Sequence, residues 1–321
     1  MIPILQANSV SKSNEEQRSL LSSISFEVQE RERLAIVGET GSGKSTLLKS
    51  IGGLAEIDQG EVMFRGSKVE GPEEKLVAGH AQISYLSQHF ELPKFITVED
   101  FLTRKETVRV EDPAQIYGAC RVQHLLDRDT RALSGGEKQR VALTKELLKA
   151  PEVLLLDEPF SNLDFSHKRI IREVLEEIEH DLEITVILVA HDPKDVLSWA
   201  DRVMVLRKGK IVQFDRPESV FDRPVDEYVA SLFGAYSLLA SEVENGKVSG
   251  RFHSIAGRIF LRPRDVTLGD TKKGLQGHVK KVRYYGAYDE LLIQSAFGDL
   301  IVNSTVGLYQ EGQELTFSFN K

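Results

Sequence analysis

The sequence predicts an α/β domain built on a largely parallel sheet, followed by a small all-β domain. Over the first two-thirds of the 321 residues, short apolar runs alternate with helical patterns, which is typical of strand–helix–strand units. Near residue 234 this alternation gives way to short strand-like runs separated by glycine-rich turns. The length agrees with two domains, since one domain averages about 150 residues.

In the first part, five apolar runs are predicted to form strands: 34–37, 83–86, 153–156, 185–189 and 203–206. The third and fourth runs are almost continuously aliphatic, as expected for strands covered on both faces. Helices are predicted after Gly43, after Gly136 and over about 165–179, where apolar residues recur at helical spacing. The α/β domain is predicted to span residues 1–234.

The second domain is predicted to span residues 235–321. Its strands are expected at 279–285, 290–294, 300–303 and 315–319. Short alternating runs of this kind favour a small β-sandwich or barrel.

Composition excludes several functional classes. The chain has 41 Lys and Arg against 49 Asp and Glu, a net charge of −8, which argues against a general nucleic-acid binder. The acidity belongs to the first domain, because residues 235–321 hold 11 basic and 9 acidic side chains. No apolar run is long enough to span a membrane, and no signal peptide is expected. The single cysteine, Cys120, is predicted to pack in the core and fits a reducing compartment.

A glycine-rich phosphate-binding pattern lies between the first core strand and the first core helix. Residues 38–45 read GETGSGKS, which matches the P-loop pattern in its expected strand–loop–helix context. The backbone N–H groups and the helix N-terminus favour bound phosphate, Lys44 would reach the β- and γ-phosphates, and Ser45 would ligate Mg²⁺. A plain glycine-rich turn is the alternative. The predicted nucleotide-binding residues of this segment are Gly38, Glu39, Thr40, Gly41, Ser42, Gly43, Lys44, Ser45 and Thr46.

Two acidic residues, Asp157 and Glu158, follow the buried strand 153–156. Ligands of open α/β sheets bind at the carboxyl ends of the strands, so both acids are expected near the P-loop. Asp157 suits Mg²⁺, directly or through water. Glu158 could orient or deprotonate an attacking water molecule. The alternative is that the two acids only end a strand.

Residues 133–140 read LSGGEKQR and precede an amphipathic helix. Ser134 and Glu137 have the spacing of a capping box, and anion binding uses the same N–H groups, so the two interpretations are compatible. Together with the P-loop, this segment resembles the signature motif of ATP-binding cassette (ABC) ATPases. The resemblance covers about residues 4–233 and implies a P-loop NTPase fold with a helical subdomain at about 89–150.

The resemblance implies roles for three further residues. Gln88 resembles the Q-loop glutamine, which contacts Mg²⁺ and the attacking water. Residues 161–164 resemble the D-loop, which ends in Asp164, so Asp164 is also a predicted nucleotide-binding residue. His191 resembles the switch histidine that contacts the γ-phosphate. From the residues alone, Gln88 could be a surface side chain, Asp164 a helix N-cap and His191 a strand-end histidine.

The resemblance also implies a head-to-tail homodimer with two ATP molecules, each between one subunit's P-loop and the other's signature motif. Ser134 and Gly136 would act in trans, with Gly135 between them as a further nucleotide-binding residue. The γ-phosphate would link the two subunits, and its hydrolysis would release them.

The expected absence of a membrane span means that a transport role requires separate permease subunits. Residues 216–234 and the LRPRD segment 261–265 resemble the junction and the OB-like TOBE domain of importer ATPases. The predicted function is therefore the ATPase subunit of an ABC importer at the cytoplasmic face of the inner (cell) membrane, serving a solute-binding protein indirectly. The alternative is a soluble or exporter-associated ABC ATPase not involved in uptake. The solute, which could be an inorganic ion, iron, a polyamine or a sugar, is not identified.

One departure from the family concerns the adenine contact. The family usually stacks adenine on an aromatic residue before the P-loop, but the first aromatic residue here is Phe26, which is predicted to lie in a core strand. We hypothesise that Arg18 supplies a guanidinium plane instead, or that contacts to the base are weak.

Overall fold

The computed structural model describes residues 3–88, 91–103, 108–161, 163–240, 252–269 and 274–320. The chain forms two compact units, Met1–Pro217 and Glu218–Lys321. The division precedes residue 234, where the sequence pattern changes, and two short helices therefore belong with the C-terminal unit. No helix of the described segments is long and apolar enough to cross a membrane.

The described residues of the first unit form ten strands and five α-helices. The strands are β1 (Leu5–Ser13), β2 (Ser19–Val28), β3 (Arg33–Val37), β4 (Gln59–Phe64), β5 (Ser67–Lys68), β6 (Ile83–Leu86), β7 (Val153–Asp157), β8 (Thr185–Val189), β9 (Arg202–Arg207) and β10 (Lys210–Asp215). The helices are α1 (Lys44–Ile51), α2 (Val98–Leu102), α3 (Pro113–Ala119), α4 (Gly135–Leu147) and α5 (Phe165–Leu182).

The six-stranded core sheet confirms the predicted α/β class. Its strand order is β10-β9-β3-β8-β7-β6, and every neighbouring pair is parallel except β10 with β9. All five predicted strands are present, and every residue of β7 and β8 is buried. Because β3, β7 and β8 run parallel as neighbours, their carboxyl ends meet at one edge, where ligands of such sheets bind.

The structure contains a second, antiparallel sheet with the order β2-β1-β4-β5. Its strands were not predicted from the sequence. The pairing of β1 with β2 shifts register at three places. Such bulges break the two-residue alternation of buried and exposed side chains by which a half-buried strand is recognised. The sheet nevertheless shares one hydrophobic core with the parallel sheet, and Phe26 lies in that core as predicted.

The predicted helical subdomain at about 89–150 contains α2, α3 and α4. Thr97 caps α2, because its Oγ1 accepts a hydrogen bond from Asp100 N at 3.0 Å. Cys120 follows α3 and is fully buried, and burial raises the pKa of its thiol to about 12. The prediction that this cysteine packs in the core is confirmed.

The C-terminal unit is β-rich, and all its strand pairs are antiparallel. Its strands form a three-stranded sheet, β11-β13-β12, and a five-stranded sheet, β14-β18-β15-β16-β17. The elements are α6 (Pro217–Asp222), which starts at the division, α7 (Glu227–Leu232), β11 (Ser237–Leu239), β12 (Ser254–Ile255), β13 (Arg258–Leu261), β14 (Val266–Leu268), β15 (Leu275–Tyr284), β16 (Asp289–Ser295), β17 (Gly298–Ser304) and β18 (Glu314–Phe319). The four predicted strands correspond to β15 to β18, and the antiparallel arrangement is compatible with the predicted OB-like domain.

A buried arginine holds the two short helices of the C-terminal unit against its strands. Arg262 is 1% exposed. It donates hydrogen bonds to the carbonyl oxygens of Phe221, Ala230, Gly234 and Ala235 at 3.0–3.2 Å. Buried carbonyl groups are costly without partners, so this guanidinium stabilises α6, α7 and the turn after them against the end of β13.

Candidate functional site

The loop between β3 and α1 has the backbone geometry of a phosphate cradle. A Cβ on Gly38 would lie 2.1 Å from Leu206 O, and one on Gly43 would lie 2.6 Å from Leu20 O. Both glycines also have positive φ, +153° and +103°, so other residues would be strained there. Gly43 caps α1 without a side-chain hydrogen bond, and the first turn holds no acidic residue. A helix N-terminus of this kind suits a bound anion.

Lys44, the first residue of α1, lies folded against this loop. Its Nζ donates hydrogen bonds to Gly38 O at 2.9 Å and Glu39 O at 3.0 Å. Burial lowers the pKa of the amine, whereas the carboxylates of Glu158, Asp157 and Glu39 act in the opposite direction. The ammonium group therefore lies between the loop and the acidic residues at the carboxyl edge.

Ser45, the next residue of α1, contacts Asp157, the last residue of β7. Ser45 Oγ donates a hydrogen bond to Asp157 Oδ1 at 2.9 Å. The other carboxylate oxygen accepts a hydrogen bond from Tyr85 OH at 2.9 Å, and burial beside this carboxylate raises the pKa of Tyr85. The structure thus brings together two residues predicted to face a metal ion.

Glu158 lies in a tightly held turn after β7. It has φ of +51°, a conformation that costs a non-glycine residue about 1–3 kcal/mol. Its N–H donates to Val189 O at 3.0 Å, and its carbonyl oxygen accepts hydrogen bonds from the N–H and hydroxyl of Ser161. Gln88 Nε2 donates to Glu158 Oε2 at 2.9 Å. Hydrogen bonds therefore hold both the backbone and the carboxylate of Glu158.

Gln88 and Glu158 open onto one cavity of about 390 Å³ that His191 also lines. His191 is exposed and follows β8, the strand next to β7. Residues from the start of α5 and from the segment after His191 also line this cavity. All three predicted catalytic side chains therefore line one cavity at the carboxyl edge of the sheet.

The signature residues lie at the N-terminus of α4. Ser134 Oγ accepts a hydrogen bond from Glu137 N at 3.3 Å, and Glu137 Oε2 accepts one from Ser134 N at 2.8 Å. The predicted capping box is confirmed. Ser134 and Gly135 are exposed, while Gly136 is buried so closely that a Cβ there would lie 2.4 Å from His167 Cδ2. Ser134, Gly135 and Gly136 are not among the described residues that line the 390 Å³ cavity.

Asp164 caps α5, as one of its two predicted interpretations requires. Its carboxylate accepts hydrogen bonds from the hydroxyl of Ser166 at 2.6 Å and from His167 N at 2.9 Å, and it lies 2.9 Å from His167 Nδ1. These contacts, that with Ser166 foremost, hold the pKa of the carboxyl well below its usual range. Of the predicted D-loop, Asn162 lies outside the described residues.

Sequence reasoning missed two side chains of the site, Tyr85 and His167. Tyr85 pairs with Leu155 in the sheet, two residues before Asp157, so its ring lies on the same face as that carboxylate. The alternation along β6 and β7 could have indicated this contact. His167 lies three residues after the N-cap Asp164, which predicts contact with it. Its approach to Gly136 depends on how α4 packs against α5, which no local pattern encodes.

The hypothesised adenine contact lies on an exposed turn between β1 and β2. Arg18 is 80% exposed at its side chain, and its Nε lies 3.4 Å from Glu16 Oε2. Its backbone N–H is held by Asn14 Oδ1 at 2.8 Å. The guanidinium is therefore exposed to solvent beside the Glu16 carboxylate.

Comparison with known proteins agrees with this geometry. The sequence profile of the ABC transporter family matches residues 21–161. The glucose import ATP-binding protein GlcV of Saccharolobus solfataricus is 36% identical over 298 residues, which cover 85% of this chain and 84% of that protein. The sulfate/thiosulfate import ATP-binding protein CysA of Bradyrhizobium diazoefficiens is 32% identical over 290 residues, 83% of each chain.

The fold also has similar solved structures. CbiO1 of Clostridium perfringens, described as part of the ABC transporter complex CbiONQ, is similar with a TM-score of 0.61 and 26% identity. The match covers 68% of this chain and 91% of CbiO1. Sequence and fold similarity therefore point to the same group of proteins.

Proposed function

The chain belongs to the ABC transporter family as an import ATP-binding subunit, and on that premise we propose how its residues bind and hydrolyse ATP and how hydrolysis drives uptake. The backbone of residues 38–43 and the N-terminus of α1 hold the phosphates. Lys44 lies over this loop and neutralises the β- and γ-phosphates. Ser42 and Thr46, on either side of the lysine and serine pair, complete the predicted cradle.

Ser45, Gln88 and Asp157 are the residues that we assign to Mg²⁺. This ion prefers oxygen ligands and is usually held by one or two carboxylates together with phosphate oxygens and water. The distance of 2.9 Å between Ser45 Oγ and Asp157 Oδ1 fits that donor set. Within the described part of the chain, no group of three or more His, Cys, Asp or Glu side chains could hold a metal ion alone. When bound, Mg²⁺ supplies charge neutralisation on the phosphates.

Glu158 is the residue that we propose as general base. It takes a proton from the attacking water, Gln88 orients the carboxylate and the water, and His191 contacts the γ-phosphate. The convergence of these three side chains on one cavity at the carboxyl edge of β7 and β8 is the observation that carries the proposal. Positioned general bases contribute about 10²–10⁴-fold to a rate.

We propose that two copies of the chain close around two ATP molecules. Ser134, Gly135 and Gly136 contact the partner's nucleotide, and Asp164 lies beside that contact. The exposed Ser134 and Gly135 at the N-terminus of a 13-residue helix support this role, because such a terminus attracts phosphate. Loss of the γ-phosphate then allows the two copies to separate.

Importer function would require membrane-spanning partners, since no helix of the described segments is long and apolar enough to cross a membrane. We propose separate permease subunits, served by a solute-binding protein, with this chain peripheral at the cytoplasmic face of the inner (cell) membrane. The two relatives are named for glucose and for sulfate or thiosulfate, a neutral sugar and an anion. The ATPase fold is therefore compatible with chemically different solutes. We further propose that the β-rich C-terminal unit is a TOBE-like domain.

Copurification tests the transport role. We expect the tagged chain, extracted from native membranes in mild detergent, to recover membrane-spanning permease subunits, because uptake needs a path through the membrane. The Lys44→Ala variant, in which ATP binding is expected to be weakened, shows whether this recovery depends on bound nucleotide. Recovery of ribosomes or DNA, or of no membrane protein at all, would contradict uptake and favour the soluble alternative.

Replacing Arg18 tests the adenine contact. We expect Arg18→Ala to weaken ATP binding about 2- to 5-fold, because an exposed guanidinium over a flat ring is worth about 0.5–1 kcal/mol. Arg31→Ala, which also removes an exposed arginine, should leave the affinity unchanged. Titration with ATP and with GTP measures both variants. Unchanged affinity of Arg18→Ala rejects the Arg18 contact and favours weak contacts to the base.

A further inference from the structure

Three charged side chains beside the catalytic cavity form a cluster that the steps above do not use. Lys168 Nζ donates to Asp195 Oδ2 at 2.8 Å, and Arg172 Nη2 donates to Asp195 Oδ1 at 2.5 Å. Lys168 and Arg172 are four residues apart on α5 and so lie on one face of that helix. We refer to these three residues as the α5 ion-pair cluster.

The α5 ion-pair cluster is partly buried. The side chains of Asp195, Lys168 and Arg172 are 14%, 28% and 31% exposed, respectively. Solvent and salt screen such pairs less than exposed ones. Each carboxylate oxygen of Asp195 accepts a hydrogen bond from a different cation. These bonds fix the position of the carboxylate and also compensate its negative charge.

Asp195 connects the cluster to the segment that carries His191. It is the last residue of a 3₁₀ turn, Pro193–Asp195, that starts two residues after His191. Asp192 caps this turn, because its Oδ1 accepts a hydrogen bond from Lys194 N at 3.0 Å. The segment from His191 to Asp195 is thus a short, internally bonded unit, and the Asp195 carboxylate ties it to α5.

Arg172 connects the same cluster to the segment that carries Glu158. Its guanidinium lies 5.5 Å from the ring centroid of Phe160, and Phe160 is buried at 4% exposure. Phe160 follows Glu158 by two residues, and both line the 390 Å³ cavity together with Lys168 and Asp195. One face of α5 therefore contacts both segments that present the catalytic side chains.

We propose that Asp195 is a positioning residue for ATP hydrolysis. Held by Lys168 and Arg172, it fixes the His191 segment relative to α5, while Arg172 holds Phe160 and hence the turn of Glu158. This inference rests on the proposed function, because it uses the roles of Glu158 and His191. Loss of the carboxylate leaves two cations facing each other and frees the His191 segment. Catalysis then falls, because a misplacement of 1 Å can cost about 10²-fold in rate.

Steady-state ATP hydrolysis by the purified full-length chain tests the inference. Asp195→Asn keeps the size of the side chain and removes its charge. We expect kcat to fall about 10- to 100-fold, with KM for ATP within about twofold and nucleotide binding retained. The matched control is Glu173→Gln, which removes a partly exposed carboxylate of the same helix that pairs with Arg121 at 2.8 Å, and should leave kcat within about twofold.

A double variant tests whether the cluster acts as one unit, and nucleotide binding with thermal unfolding separates positioning from loss of folding. If the three residues act as one unit, Asp195→Asn combined with Arg172→Met should lose no more kcat than the more impaired single variant. Multiplied losses overturn the proposal, as does an Asp195→Asn variant with wild-type kcat. A fall in kcat that comes with weakened nucleotide binding and a lower thermal unfolding midpoint also overturns it, since that is the result of a merely structural role.

The proposed function fails in a different way. A wild-type chain without ATPase activity, or one whose activity survives Glu158→Gln, contradicts the proposed catalytic role itself. A wild-type chain whose activity depends on Glu158 but not on Asp195 contradicts only the positioning role.

Discussion

Replacing Glu158 by Gln is expected to lower steady-state ATP turnover about 10²–10⁴-fold, the contribution of a positioned general base. A carboxamide has the same size and retains an oxygen that can accept the Gln88 hydrogen bond, which is 2.9 Å long in the wild type. It cannot accept a proton from water. ATP binding should therefore survive while the γ-phosphate is no longer removed, so the closed dimer should accumulate.

Two measurements check this result. Phosphate release at saturating Mg-ATP reports turnover, and size-exclusion chromatography with and without Mg-ATP reports the dimer. Glu152→Gln is a matched control, because Glu152 precedes β7 at the opposite end of the strand and bonds with Arg65 and Gln82. Hydrolysis by Glu158→Gln at the wild-type rate would refute the assignment of Glu158. A variant that binds ATP but stays monomeric would refute the sandwich dimer.

Replacing Lys44 by Ala is expected to weaken ATP binding about 10- to 150-fold. A hydrogen bond with a charged partner contributes about 1.5–3 kcal/mol, and each 1.4 kcal/mol is a factor of ten in Kd. The Lys44 ammonium lies within 3.0 Å of two carbonyl oxygens of the loop, so it is already placed where the phosphates would bind.

Calorimetric titration with Mg-ATP measures this loss of affinity. Lys49→Ala is the control, since Lys49 is an exposed lysine in the last turn of the same helix, and its Kd should equal the wild-type value. Thermal unfolding without nucleotide shows whether Lys44→Ala also loosens the loop. An unchanged Kd for Lys44→Ala would exclude Lys44 from phosphate binding.

Much of the fold was predictable because its strongest patterns are local. The aliphatic runs that became β7 and β8 were predicted to within one residue, since a strand buried on both faces is a continuous apolar run. The antiparallel sheet of β1, β2, β4 and β5 was not predicted. Bulges in β1 and β2 disturb the alternation, so those strands lack a clean two-residue period.

Net charge alone was a poor guide to the ligand. The chain carries −8, which by itself argues against a polyanion, and yet it belongs to a family that binds ATP. Glycine geometry and helix N–H groups act over a few ångströms, whereas net charge acts on long-range steering. The P-loop pattern reports these local interactions with phosphate. It is therefore a better guide to the ligand than the net charge.

The sequence by itself determined the chemistry that the chain contains: a P-loop, two acids after a buried strand, a signature segment and a histidine at a strand end. These are short patterns whose geometry follows from neighbouring residues. Only the tertiary structure decided which side chains meet. Ser45 bonds with Asp157 across 112 residues and Gln88 with Glu158 across 70. Asp195 joins α5 to the His191 segment in the same way. Such contacts depend on the order of the strands in the sheet and on the packing of helices against it, and a local pattern contains neither.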